Sequence, residues 1–229
     1  MRAKTRRVSA GRLAAVVPVL LAAAVAVTGC GQTQLGAAAL YGGQRVSSTT
    51  LAAEVANLNT GYQAYKSKAQ ISYKPAQMPR EVLTWILRFA TTNEVAGREG
   101  ITITREMAQQ QLTAEQRQAA QSGYSLREVA VLSGLPPDML SKVGRWLAIE
   151  GQLQDMLDHG VAPTTSAGQS ALGLKINHLQ CLAAKRLNIK VNPQYGAFDY
   201  GSLAVVPAVT TLSALPAVST SSRQPATKC

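Results

Sequence analysis

A chain of 229 residues is long enough for one domain, or one domain with a long tail. Its formal net charge of +11 fits an anionic membrane or wall polymer, but scattered surface Lys and Arg explain the same number. Charge alone therefore selects no partner.

The first segment in chain order is basic. Arg2, Lys4, Arg6, Arg7 and Arg12 precede an apolar run from Leu13 to Val27, and no acidic residue stands before Cys30. This is the layout of an export signal. Fifteen apolar residues make a helix of roughly 22 Å, short of the ~30 Å hydrocarbon core, which disfavours a permanent span. Val27-Thr28-Gly29-Cys30 resembles the lipobox of bacterial lipoproteins, with Val where Leu is commoner. Small side chains let the backbone enter the processing enzymes, and the Cys30 thiolate is the nucleophile that accepts a diacylglyceryl group. A third acyl chain such as palmitate belongs to the same chemistry, and two or more chains on one residue anchor stably where one does not. A secretory signal with an incidental cysteine is the competing reading, but it leaves the ordered set of basic start, apolar core, small pair and Cys unexplained. Residues 1–29 are thus expected to be a lipoprotein signal peptide, 30–37 a lipidated tether, 38–200 a helical domain and 201–229 a low-complexity tail. Removal of the signal leaves 200 residues and a formal charge of +6.

AALYGGQRV, from Ala38 to Val46, predicts two short strands joined at Gly42 and Gly43, which supply the positive φ of a tight hairpin. Ser47 or Ser48 caps the next helix, striped by Leu51, Val55, Leu58, Tyr62 and Tyr65. Residues 66–78 read as a polar connection. Pro79 opens a helix well, because a first-turn N–H lacks an internal partner anyway. Val82, Leu83, Trp85, Ile86, Leu87, Phe89 and Ala90 cover more than half its circumference, so it is expected at the centre; Gly97 or Gly100 ends it. Thr104 caps a helix rich in Gln and poor in apolar residues, expected mostly in solvent. Ser125 and Glu128 form a capping box, and Gly134 stops that short helix. Pro137 begins a long helix to about His159, striped by Leu140, Val143, Trp146, Leu147, Ile149, Leu153, Met156 and Leu157. A last helix covers Ser166 to Leu187, a strand-like segment Asn188 to Val191, and from Ser202 onward no period survives. The fold class expected is mainly α with a small β element.

SLREVAVLSGLPPDMLSKVGRWLA has the outline of a helix-turn-helix. Pro136 and Pro137 occupy the start of its would-be recognition helix, and Asp138, Ser141, Lys142 and Arg145 are no base-reading set. An exported lipoprotein does not meet the chromosome, so no nucleic-acid partner is expected. The segment reads as a helical corner.

Three segments in order carry a family resemblance. AALYGGQRVSSTTLAAEVANLN is similar to the strand, turn and strand leading into a capped helix of the SurA/PrsA-type extracytoplasmic foldases. MPREVLTWILRFATTNEVAGREGITITREMAQQQL resembles their broad apolar helix, glycine, I-T-I-T cap and polar helix. LNIKVNPQYGAFD resembles a late closing strand. The resemblance covers Ala37 to Tyr200 and implies a SurA N-terminal-like helical domain. The parvulin domain that many members carry has no room: fewer than thirty residues separate Gly160 from Ile189. His159 and His178 read as surface residues, and no metal-ligand cluster, nucleotide-binding glycine loop or nucleophile elbow occurs. No enzymatic activity, cofactor or metal is expected.

The resemblance implies a membrane-anchored, chaperone-like factor in the cell envelope that holds unfolded exported polypeptides. The alternative is a structural or adaptor lipoprotein docking one envelope partner. Candidate client contacts are Tyr62, Tyr65, Tyr73, Trp85, Phe89 and Trp146, aromatic residues offering area at low entropic cost. Against this stands the ordinary role of such stripes as core, and Tyr73, in the polar connection, is expected to be the most exposed. With Cys30 lipidated, Cys181 and Cys229 remain. They form a candidate disulfide in an oxidising compartment, or Cys181 in INHLQCLAAKRL is simply a small buried apolar residue.

Overall fold

Two glycines start the fold. In the computed structural model Gly42 and Gly43 have φ of 51° and 76°, so the chain reverses between β1 (Ala37–Tyr41) and β2 (Gln44–Ser47) in the primed geometry that matches strand twist. The structure describes residues 36–68, 70–159, 164–208 and 229. The signal peptide, Cys30, tether residues 30–35 and tail residues 209–228 lie outside the described residues. Among the described residues no helix is long and apolar enough to cross a membrane.

Ser47 ends β2 and caps α1 (Ser48–Tyr65), its hydroxyl accepting the Thr50 N–H at 2.9 Å. A 3-10 turn, Pro75–Gln77, leads into α2 (Met78–Arg98). Of the two candidate stops, Gly100 is the one in the left-handed region, at φ 68°, while Gly97 stays within the helix. Thr104 caps α3 (Arg105–Gln121) by accepting the Met107 N–H, and Ser125 and Glu128 close the capping box of α4 (Leu126–Leu132). Pro137 opens a 3-10 turn rather than the helix itself, and α5 runs from Leu140 to Leu157. Met156, expected on its buried stripe, is instead 39% exposed. Thr165 caps α6 (Ser166–Arg186).

α2 is central, packing against α1, α5, α6 and β1. Its Val82, Leu83 and Leu87 are fully buried and meet Leu51 and Leu58 of α1 and Val131 of α4 in one core. Burial of each such side chain contributes about 1.5–3 kcal/mol. A second cluster joins Val95, Leu153, Ile176 and Ala183. The Gln-rich α3 is mostly exposed, with Ala119 its one buried residue. It nonetheless packs closely on α5, because Gly144 brings the α5 backbone against the Ala108 carbonyl and Leu112; a Cβ at 144 would collide with both.

The C-terminal part departs from expectation. β3 (Lys190–Val191) adds antiparallel to β1, giving a three-stranded sheet in the order β2-β1-β3. Asn192 extends the join, donating from its backbone to Ala38 O (2.9 Å) and from its side chain to Ala37 O (3.1 Å). A second hairpin follows, β4 (Ala197–Asp199) and β5 (Ala204–Val206). Residues 201–206 are therefore part of the folded domain, not the start of a tail. Asp199 accepts the Gly201 and Ser202 amides to close the turn, the Val205 N–H donates to Thr84 of α2, and Leu203 and Val205 are buried. The single late strand expected is three short ones. Among the described residues the chain is thus mainly helical, with two small antiparallel sheets.

Cys181 of α6 and Cys229 are joined by a disulfide, with Cα atoms 5.6 Å apart. It closes a loop of 48 residues containing β3, β4 and β5. By chain entropy such a loop stabilises the fold by about 4 kcal/mol.

Candidate functional site

Six aromatic side chains were candidates for client contact, and the fold sorts them into three environments. Tyr73 is a core residue, 5% exposed, and this corrects the expectation that it is the most accessible. Its hydroxyl donates to Val131 O at 2.7 Å, and its ring packs 5.9 Å from that of Tyr62. Burial pushes the phenol well above its ordinary value. The polar composition of residues 66–78 hid an anchor that pins this connection onto α4. Tyr62 and Tyr65 are half-buried on α1, with the Lys68 ammonium 5.7 Å from the Tyr65 ring centroid.

Trp85, Phe89 and Trp146 come together. Trp85 and Phe89 are one turn apart on α2, with centroids 5.7 Å apart. Trp146 reaches over from α5 to meet Trp85 edge-to-face at 5.6 Å and 90°, the arrangement the ring quadrupoles favour. The Trp85 indole N–H donates to Ser133 O at 2.9 Å, just past the last residue of α4, which fixes the ring. The Arg88 guanidinium lies over its ring, 4.8 Å from the centroid. Phe89 is nearly sealed, at 6% exposure, whereas the two tryptophans are partly open.

These tryptophans line a groove of about 310 Å³ between α2, α4 and α5. Leu126 and Val129 from α4 and Leu140 and Leu147 from α5 complete its apolar walls, and Glu115 of α3 stands as its one carboxylate. Leu140 and Leu147 belong to the periodic stripe of α5. Leu126 and Val129 were not singled out, because α4 is seven residues long and too short to declare a face.

A polar network lies beside the groove. Thr92 of α2 and Gln180 of α6 both donate to Glu150 Oε1 on α5. Burial raises the Glu150 pKa, opposed by Thr92, by Arg88 and by the Trp146 indole N–H one turn back, which makes no hydrogen bond of standard geometry. Burial also raises Glu81, with Arg80 and Arg88 opposing it. Arg88 is shifted down by its own burial, against the pull of Glu150 and Glu81, and stays charged. The network joins three helices. Among the described residues no three of His, Cys, Asp and Glu lie close enough to hold a metal ion. His159 and His178 are both exposed.

Comparison with known proteins returns nothing: no family model, no curated protein and no solved structure matches this chain. What the site offers chemically is an open apolar surface with two oriented indoles and a nearby cation. That combination suits noncovalent binding of apolar or aromatic side chains.

Proposed function

We propose that the protein is an extracytoplasmic lipoprotein, anchored through Cys30, that binds unfolded exported polypeptides without enzymatic action. The observation that carries the reading is the Trp85–Trp146 groove: apolar, open, and placed on rigid helices behind an N-terminal sequence with the pattern of a lipobox. The motif resemblance to SurA/PrsA-type N-terminal domains supports the same function. An open apolar groove holds extended chain by contact area and demands little of its sequence, which is what a general folding factor needs.

Aggregation of a chemically denatured client, followed by light scattering, tests it. The processed protein is expected to suppress scattering at stoichiometric excess. Trp146→Ala should lose most of that effect, while a control at exposed Gln110 of α3 keeps it, provided both variants melt cooperatively. No suppression by the unsubstituted protein contradicts the proposal. Crosslinking in cells separates the adaptor alternative: many newly exported chains support the folding factor, whereas one stable partner supports the adaptor. Peptidyl-prolyl isomerisation is expected at the uncatalysed rate.

A further inference from the structure

Ala37, Ala38 and Ala39 of β1 are all buried around a bulge, so the sheet has an open face only toward its hairpin end. Ala39 pairs with Val46 on one side and Val191 on the other, and Ala39 and Val46 are buried. Leu40 pairs with Arg45 and with Lys190. Directly opposed residues share a face, so Arg45, Leu40 and Lys190 form one row across the outer side. Arg45 and Lys190 are exposed.

Two further cations stand near the hairpin turn. The Leu187 carbonyl accepts the Gly42 N–H at 2.6 Å, docking the C-terminal end of α6 on the hairpin turn. Lys185 and Arg186, both exposed, stand two residues and one residue before that contact. From His159 to Phe198 the chain has Lys175, Lys185, Arg186 and Lys190 and no carboxylate. The carboxylates on elements packed around the sheet are withdrawn or engaged. Asp199 is buried and accepts two backbone amides, one Glu54 oxygen is buried, and Glu94 pairs with Arg98 at 2.7 Å.

The tether enters at the opposite end of β1 from the hairpin turn, along the same sheet. Gly36 immediately precedes β1, its carbonyl accepts the Ser48 N–H, and the Arg45 guanidinium lies close beside it. Six residue steps separate Gly36 from Cys30, a reach of at most about 20 Å. A lipid on Cys30 thus keeps the start of β1 near the headgroups, whereas Lys66, at the far end of α1, lies about 27 Å further along that helix. We infer that the outer face of the sheet, with Arg45, Lys185, Arg186 and Lys190, docks on the anionic headgroups of the bilayer that holds the anchor. The inference rests on lipidation of Cys30 but not on client binding. The tether brings the domain to the surface, and the cations hold it in one orientation once they come within a screening length of about 10 Å.

Lysine footprinting on the full lipidated protein tests this. The protein is placed in vesicles of phosphatidylcholine alone or mixed with phosphatidylglycerol, labelled with an amine-reactive acetyl ester, and read by peptide mass spectrometry, with intact mass confirming acylation. Labelling of Lys185 and Lys190 is expected to fall about threefold or more on the anionic vesicles and to recover in high salt, while Lys66 is unchanged. Acylated protein with equal labelling on both vesicles, or with protection centred on Lys66, overturns the assigned face and leaves the anchor standing. An unmodified Cys30 overturns both. Neither result bears on the client-aggregation test.

Discussion

Glu150 is the residue whose charge the fold resists. Its carboxylate lies among α2, α5 and α6, and burial raises its pKa in spite of Thr92, Arg88, Trp146 and Gln180. A carboxyl with a raised folded pKa contributes most stability when protonated in both states. That contribution is lost as the pH climbs from the ordinary value of 4.5 through the raised one. Glu150→Gln keeps an oxygen for Thr92 and Gln180 and removes the charge. The variant should match the parent near the acid end and melt higher at neutral pH, by about 2–4 °C per kcal/mol recovered in a chain of this size. Thermal unfolding between pH 4 and 8 reads this. A parent that melts higher than the variant at neutral pH would show instead that Arg88 attraction outweighs burial. Tyr73 teaches a related lesson about legibility. Nothing local distinguishes a tyrosine in a polar segment that donates to Val131 from one in solvent; the difference lies 58 residues away.

At the scale of elements, the local signals were readable and the distant ones were not. Ser47, Thr104 and the Ser125–Glu128 box cap the helices they precede, because a cap acts within three residues of itself. β5 has no local signature, since three residues show no period and its pairing with β4 and its bond to Thr84 are tertiary facts. The close packing of α3 on α5 was hidden as well. It depends on Gly144 and Ala108, small residues that mark a contact by what they lack. Gly144→Ala should push the helices apart and destabilise the protein by about 1–3 kcal/mol, the usual range for overpacking. Urea unfolding measures the loss, and faster amide exchange along α3 would locate it; an unchanged midpoint would contradict the tight approach. For the late strands the test is the disulfide. Cys229→Ser should lower stability by about 2–4 kcal/mol and speed exchange at β4 and β5 more than at α1. Equal stability of the two forms would mean that the 48-residue loop is held by its hairpin contacts alone.

For the whole molecule, the stripes of α2 and α5 were visible in the sequence, but whether they closed on each other was not. They close in part: Leu83, Leu87 and Val143 are buried, while Trp85 and Trp146 keep an edge in the groove. Groove and basic face are distinct, the one walled by α2, α4 and α5, the other built on β1, β2, β3 and the end of α6. A lipoprotein so arranged would rest on the bilayer by its sheet and leave its groove to passing chains.

Both proposals depend on what happens at Cys30, and intact mass of the protein recovered from membranes addresses it most directly. The mass expected is that of residues 30–229 with a diacylglyceryl thioether on the first residue. A soluble product retaining residues 1–29 with a free thiol at Cys30 would contradict the account.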